Sequence, residues 1–133
     1  MPETVSTPQK KIMLVDDDAF LLDMYSVKFK NNGYEVRVSD NAEAALKVLR
    51  DGYAPDAMLV DIVMPDMDGI GFVSAVRKEN LAGKAALIML TNQGLPDDIA
   101  RAKKLNVDGY IIKATTIPSD LLKETEKILA AKK

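Results

Sequence analysis

Five short apolar runs, each followed by a stretch of helical period, succeed one another along this chain. That alternation restricts the available folds more than any other feature. The run at 12–15 is followed by Phe20, Leu21, Met24 and Tyr25 at helical spacing, until the turn sequence NNG stops the pattern at Gly33. In EVRVS, Val36 and Val38 share a face against Glu35 and Arg37, the mark of a half-buried strand near a sheet edge. The segment SDNAEAALKVLRDG spaces Asp40 and Glu43 as a capping box and sets Ala42, Ala45, Leu46 and Leu49 on one helical face. Continuous apolar runs in DAMLV at 56–60, after its polar Asp56, and at 85–90 suit strands covered on both faces, and YIIK at 110–113 holds a shorter one. Helical stretches at 70–80, 96–105 and 118–131 separate and follow them, with Leu121, Leu122, Ile128 and Leu129 marking the last buried stripe. Repeated strand-helix units predict an α/β fold: a parallel sheet with helices on both faces and right-handed crossovers.

Ligands of such sheets sit beyond the carboxyl ends of the strands. The residues there are Asp16, Asp17 and Asp18 after the first strand, Asp61 after the third, Thr91 after the fourth and Lys113 at the end of the fifth. Adjacent carboxylates repel, so three in a row point either to a well-solvated turn or to a cation. Composition narrows the chemistry further. The 133 residues contain no cysteine and no histidine. Disulfides, thiolate and imidazole metal sites, thiol nucleophiles and serine-histidine triads are therefore excluded. A net charge of -2 gives no basic field for holding nucleic acid. The polar opening MPETVSTPQKK lacks the apolar core of a signal peptide, and no run approaches the ~20 apolar residues of a membrane span. The expected location is cytoplasmic. The expected organisation is a flexible segment at 1–9 and a single domain at 10–131, with no second functional domain.

Four motifs in order, MLVDDD, LVDIVMPDMDG, IMLTNQG and DGYIIKA, resemble the receiver domains of two-component response regulators over nearly the whole chain. The resemblance implies a flavodoxin-like doubly wound sheet of five parallel strands in the order 2-1-3-4-5. It implies that Asp61 accepts a phosphoryl group and that Asp16 and Asp17, with Asp61 and the backbone carbonyl of Val63, hold Mg2+. Thr91 and Lys113 would contact the phosphoryl group, and Thr91 and Tyr110 would form the switch. Implied partners are a sensor histidine kinase or histidine phosphotransferase and a downstream protein or output domain. That target would be met through the face of helix 4, strand 5 and helix 5, a face that also suits a homodimer. Such a domain assists its own phosphorylation and dephosphorylation without being a turnover enzyme.

Elementary chemistry supports these roles. A carboxylate with an ordinary pKa near ~3.9 is already ionised at neutral pH and needs no histidine base to act as a nucleophile. Its difficulty is repulsion from an anionic phosphoryl group, which a divalent cation and Lys113 would relieve. Asp18 reads instead as the N-cap of the first helix, and Asp66, Asp68 and Gly69 as the turn that starts the third. An EF-hand reading of MPDMDG fails, because Met64 and Ala75 would occupy liganding positions. A haloacid dehalogenase-type phosphatase would use Asp16 as nucleophile with Asp18, but Phe20 departs from that pattern and the chain has no room for a cap domain. A flavodoxin-like carrier would repel its flavin phosphate at DDDAF. Two departures from the common receiver pattern are Ala114 after Lys113, where proline is usual, and Asn92 after Thr91, where a small residue is usual.

Overall fold

The computed structural model describes residues 10–64, 67–91, 96–113 and 116–131. Among them, five strands alternate with five helices: β1 (Lys11–Val15), α1 (Ala19–Lys30), β2 (Glu35–Ser39), α2 (Ala42–Arg50), β3 (Ala57–Asp61), α3 (Gly69–Lys78), β4 (Ala86–Thr91), α4 (Pro96–Lys104), β5 (Gly109–Ile112) and α5 (Pro118–Ala131). All strand pairs are parallel, and the order is β2-β1-β3-β4-β5. The strand order and the flavodoxin-like doubly wound architecture are as expected from the sequence. The anticipated segment 1–9, the Lys113–Ala114 peptide and Asn92 lie outside the described residues.

Period-two alternation divides the core. Ile12, Leu14, Leu59, Ile88 and Leu90 face α1 and α5, where Leu22, Tyr25, Phe29, Leu121 and Leu122 meet them. Met13, Val15, Met58, Val60, Leu87 and Met89 face the other way, onto Leu46 of α2, Phe72 and Val73 of α3 and Ala102 of α4. The central strands β3 and β4 are buried at every position, which is why they read as unbroken apolar runs.

Two aspartates extend the ladder at the amino ends of the strands. Lys11 N donates to Asp56 Oδ2 at 2.7 Å while Asp56 N donates to the Lys11 carbonyl at 2.7 Å. Asp108 makes the equivalent exchange with Leu87, both bonds being 2.8 Å. A side-chain acceptor thereby supplies one more rung where each pairing begins, and helps set its register.

The cap of α2 corrects an expectation, and α1 and β2 add local detail. Asp18 begins α1 as its N-cap, accepting from Phe20 N and Leu21 N. Phe20 therefore falls in the first turn of α1 and is 71% exposed. The cap of α2 is Asn41, which accepts from Ala44 N at 2.8 Å; Asp40 instead accepts from the Asn41 side chain. On β2, Val36 packs against the core but Val38 on the same face is 47% exposed, since an edge strand is covered over only part of its length.

Candidate functional site

The carboxyl ends of β1, β3 and β5 bring four of the expected side chains together. Asp16 directly follows β1 and is fully buried; its backbone N donates to the Ser39 carbonyl, and its Oδ1 accepts from Asp18 N at 3.0 Å. The same short turn thus orients Asp16 inward and leaves Asp17 exposed at the rim. Asp61 ends β3 and is 3% exposed. Carboxylate oxygens of Asp16, Asp17 and Asp61 lie within 4.8 Å of one another, close enough to hold one metal ion.

Lys113 enters from the end of β5. Its Nζ donates to Asp16 Oδ2 at 2.8 Å and stands 3.5 Å from Asp61 Oδ1, with all three side chains nearly inaccessible. The longer contact is an ion pair rather than a good hydrogen bond. Asp61 Oδ1 is accordingly a buried acceptor without a hydrogen-bond partner. A buried acceptor of this kind, beside two further carboxylates, is a donor suited to a hard cation.

Electrostatics follows from this packing. Burial, then the negative charge of Asp16, push the Asp61 carboxyl up to about 7, against the opposing pull of Lys113 and a backbone hydrogen bond from Val63. For Lys113, burial works against the charged form, but the hydrogen bond to Asp16 and the charges of Asp61 and Asp16 outweigh it and raise its pKa. The site holds more negative charge than its one ammonium neutralises.

A backbone approach supports Asp61 from below. Gly69 N donates to the Ile62 carbonyl at 2.7 Å, and a Cβ on Gly69 would fall on the carbonyl oxygen of Asp61. Asp68 caps α3 by accepting from Gly71 N, as its turn sequence suggested. Gly69 is the first residue of α3, and its contact with the Asp61 backbone joins the start of that helix to the end of β3; Asp66 of the expected turn lies outside the described residues.

Residues 12–126 match the response regulator receiver domain. The chain belongs to that family. Among relatives of this receiver domain, the chemotaxis protein CheY of Halobacterium salinarum is 36% identical over 112 residues, covering 83% of this chain and 89% of that protein. A probable transcriptional regulator ycf27 of Pyropia yezoensis is 34% identical over 105 residues, 79% of this chain but 42% of that protein. This chain thus spans less than half the length of that regulator. The chemotaxis response regulator CheY4 of Vibrio cholerae superposes with a TM-score of 0.83 at 28% identity, covering 91% of this chain and 99% of that one.

The remaining expected residues of the receiver domain take distinct positions. Thr91 is buried at the end of β4, beside Ile112 in the β5 pairing. Tyr110 is 38% exposed on β5, and Val63 is 63% exposed just beyond Asp61. None of the helices among the described residues is long and apolar enough to cross a membrane.

Proposed function

We propose that Asp61 accepts a phosphoryl group from a phosphohistidine of a sensor kinase or histidine phosphotransferase, in a site completed by Mg2+. The observation that carries this reading is the buried Oδ1 of Asp61, without a hydrogen bond, beside two further carboxylates and one ammonium. Three clustered carboxylates form an all-oxygen donor set suited to a hard divalent cation, and the backbone carbonyl of Val63 would add a further oxygen. When bound, magnesium supplies charge neutralisation and a template for in-line transfer.

Asp61 must be anionic to attack, and its pKa of about 7 without metal leaves it partly protonated at neutral pH. Positive charge beside it favours the ionised form. A bond then forms between an Asp61 carboxylate oxygen and phosphorus while the phosphorus–nitrogen bond of the donor breaks. The leaving imidazole nitrogen keeps the electron pair. Lys113 neutralises the incoming phosphoryl oxygens, and the Thr91 hydroxyl donates to one of them. The product is a covalent signal on this chain, with no substrate turned over in solution.

Movement of Thr91 toward the phosphoryl group would open space for Tyr110 and change the face of α4, β5 and α5. A cavity of about 510 Å³ there, lined by Ile99, Tyr110, Ile112 and Lys123 among others, suits a downstream protein segment. Intact-mass measurement after incubation with magnesium and acetyl phosphate tests the central step. The expected result is one phosphoryl group on the unsubstituted chain and none on Asp61→Asn; an unmodified chain, or equal labelling of both, would overturn the assignment.

A further inference from the structure

Among the described residues of α4, Ala102 alone is fully buried, and Asp97, Asp98, Arg101, Lys103 and Lys104 are charged. One buried methyl group is a slender apolar anchor for a helix of nine residues. Long polar side chains hold it at two places. Arg101 Nη2 lies 3.2 Å from Asp68 Oδ2, and Asp98 Oδ1, 3.7 Å from Nη1, steadies the same guanidinium. Past the other end of α4, Arg77 of α3 donates from Nη2 to the Asn106 carbonyl at 2.9 Å and from Nε to the Leu105 carbonyl at 3.3 Å.

The two tethers differ in what they join. Arg77 binds backbone carbonyls that follow a helix C-terminus, a contact with no acid in it. Arg101 binds a carboxylate whose other oxygen caps α3 through Gly71 N. Asp68 is followed by Gly69, whose N–H holds the Ile62 carbonyl one residue after Asp61. Two polar contacts, Gly69 N to the Ile62 carbonyl and Arg101 to Asp68, therefore join the residue after Asp61 to α4 without passing through β4 or β5.

We infer that α4 is held by an arginine clamp whose Arg101–Asp68 half ties it to the first turn of α3, which packs against the end of β3, so that α4 and that turn loosen and tighten together. The consequence for signalling rests on the reading of Asp61 as phosphoacceptor: a rearrangement at the acidic site would reach α4 through this ion pair as well as through the sheet.

Amide hydrogen exchange on the full chain, without metal or phosphodonor, tests the clamp. Arg101→Ala should speed exchange in α4 and at residues 69–71 by about two- to fivefold, the range of a half-exposed ion pair. Asp68→Asn keeps an N-cap acceptor for α3 yet removes the charge, and should speed α4 by a similar factor. The double variant should be no faster in α4 than the faster single variant, because both changes remove one interaction. Lys103→Ala, which touches neither tether, should leave α4 unchanged. Unaltered α4 exchange in Arg101→Ala, an effect confined to α4 with none at 69–71, or a double variant whose effect is the product of the two singles would each overturn the proposal. Failure of the phosphoacceptor reading appears separately, as absent labelling of Asp61, and leaves these exchange results in force.

Discussion

Lys113 bonds to Asp16 rather than to Asp61: its Nζ is 2.8 Å from Asp16 Oδ2 and 3.5 Å from Asp61 Oδ1. The chain thus carries its own cation among its carboxylates. That ammonium balances Asp16 closely and Asp61 incompletely.

Removing the ammonium should destabilise the metal-free domain. Lys113→Ala leaves two buried carboxylates without their cation, and the expected loss is about 1–3 kcal/mol, below the usual cost of breaking a buried pair because Asp61 can take up a proton. Urea unfolding measures it. Added magnesium should recover part of the loss, and an unchanged midpoint in the metal-free variant would contradict the burial argument.

Stability of the metal-free domain should fall as pH rises through the acidic range. The Asp61 carboxyl is raised from 3.8 to about 7 in the folded state, so between those values the folded chain binds more protons than the unfolded one. The Asp61 contribution to the slope of unfolding free energy against pH is then negative, and the penalty saturates above the folded pKa. Asp61→Asn removes the ionisation and should be more stable than the unsubstituted chain by about 1–3 kcal/mol near pH 8, with a smaller difference near pH 5. Denaturant midpoints at the two pH values check both the sign and its dependence.

Gly69 and Gly71 provide a paired comparison within one helix. A Cβ at Gly69 would strike the backbone of Asp61, whereas at Gly71 it would meet the movable Met67 side chain at 3.2 Å. Gly69→Ala should cost about 1–3 kcal/mol by overpacking and slow labelling of Asp61. Gly71→Ala should fall within about 1 kcal/mol of the unsubstituted chain, since a better helix former offsets the crowding. Thermal unfolding with a labelling time course separates the two.

Asn41 rather than Asp40 should carry the start of α2. Its Oδ1 accepts from Ala44 N at 2.8 Å, so Asn41→Ala is expected to cost about 1 kcal/mol while Asp40→Ala costs a few tenths. Equal melting temperatures for the two variants would restore the capping assignment suggested by the spacing of Asp40 and Glu43.

Much of the site was legible because parallel α/β topology maps sequence position onto space. Residues at strand ends lie on one rim, so the neighbourhood of Asp16, Asp61 and Lys113 is legible from their places in the sequence. Asp18 could likewise be set apart as a cap, since a short acceptor just before a helical run satisfies that helix's own N–H groups. The cap of α2 falls at Asn41, one residue after the Asp40 that the spacing predicts, because cap spacing leaves a helix start uncertain by one residue.

The amino-acid sequence by itself determined the class of fold, the strand order through its family motifs, and the identity of the acidic residues that share a rim, because hydrophobic period and strand-end position are local properties of the chain. Only the tertiary structure decided how the charges are apportioned: that Lys113 pairs with Asp16, that Asp61 Oδ1 is buried without a hydrogen bond, and that Arg101 reaches Asp68. Those outcomes depend on distances between residues up to 97 positions apart, and on how far each side chain is withdrawn from water. Neither quantity is encoded in a local pattern, and together they set the strength of every electrostatic term in the site.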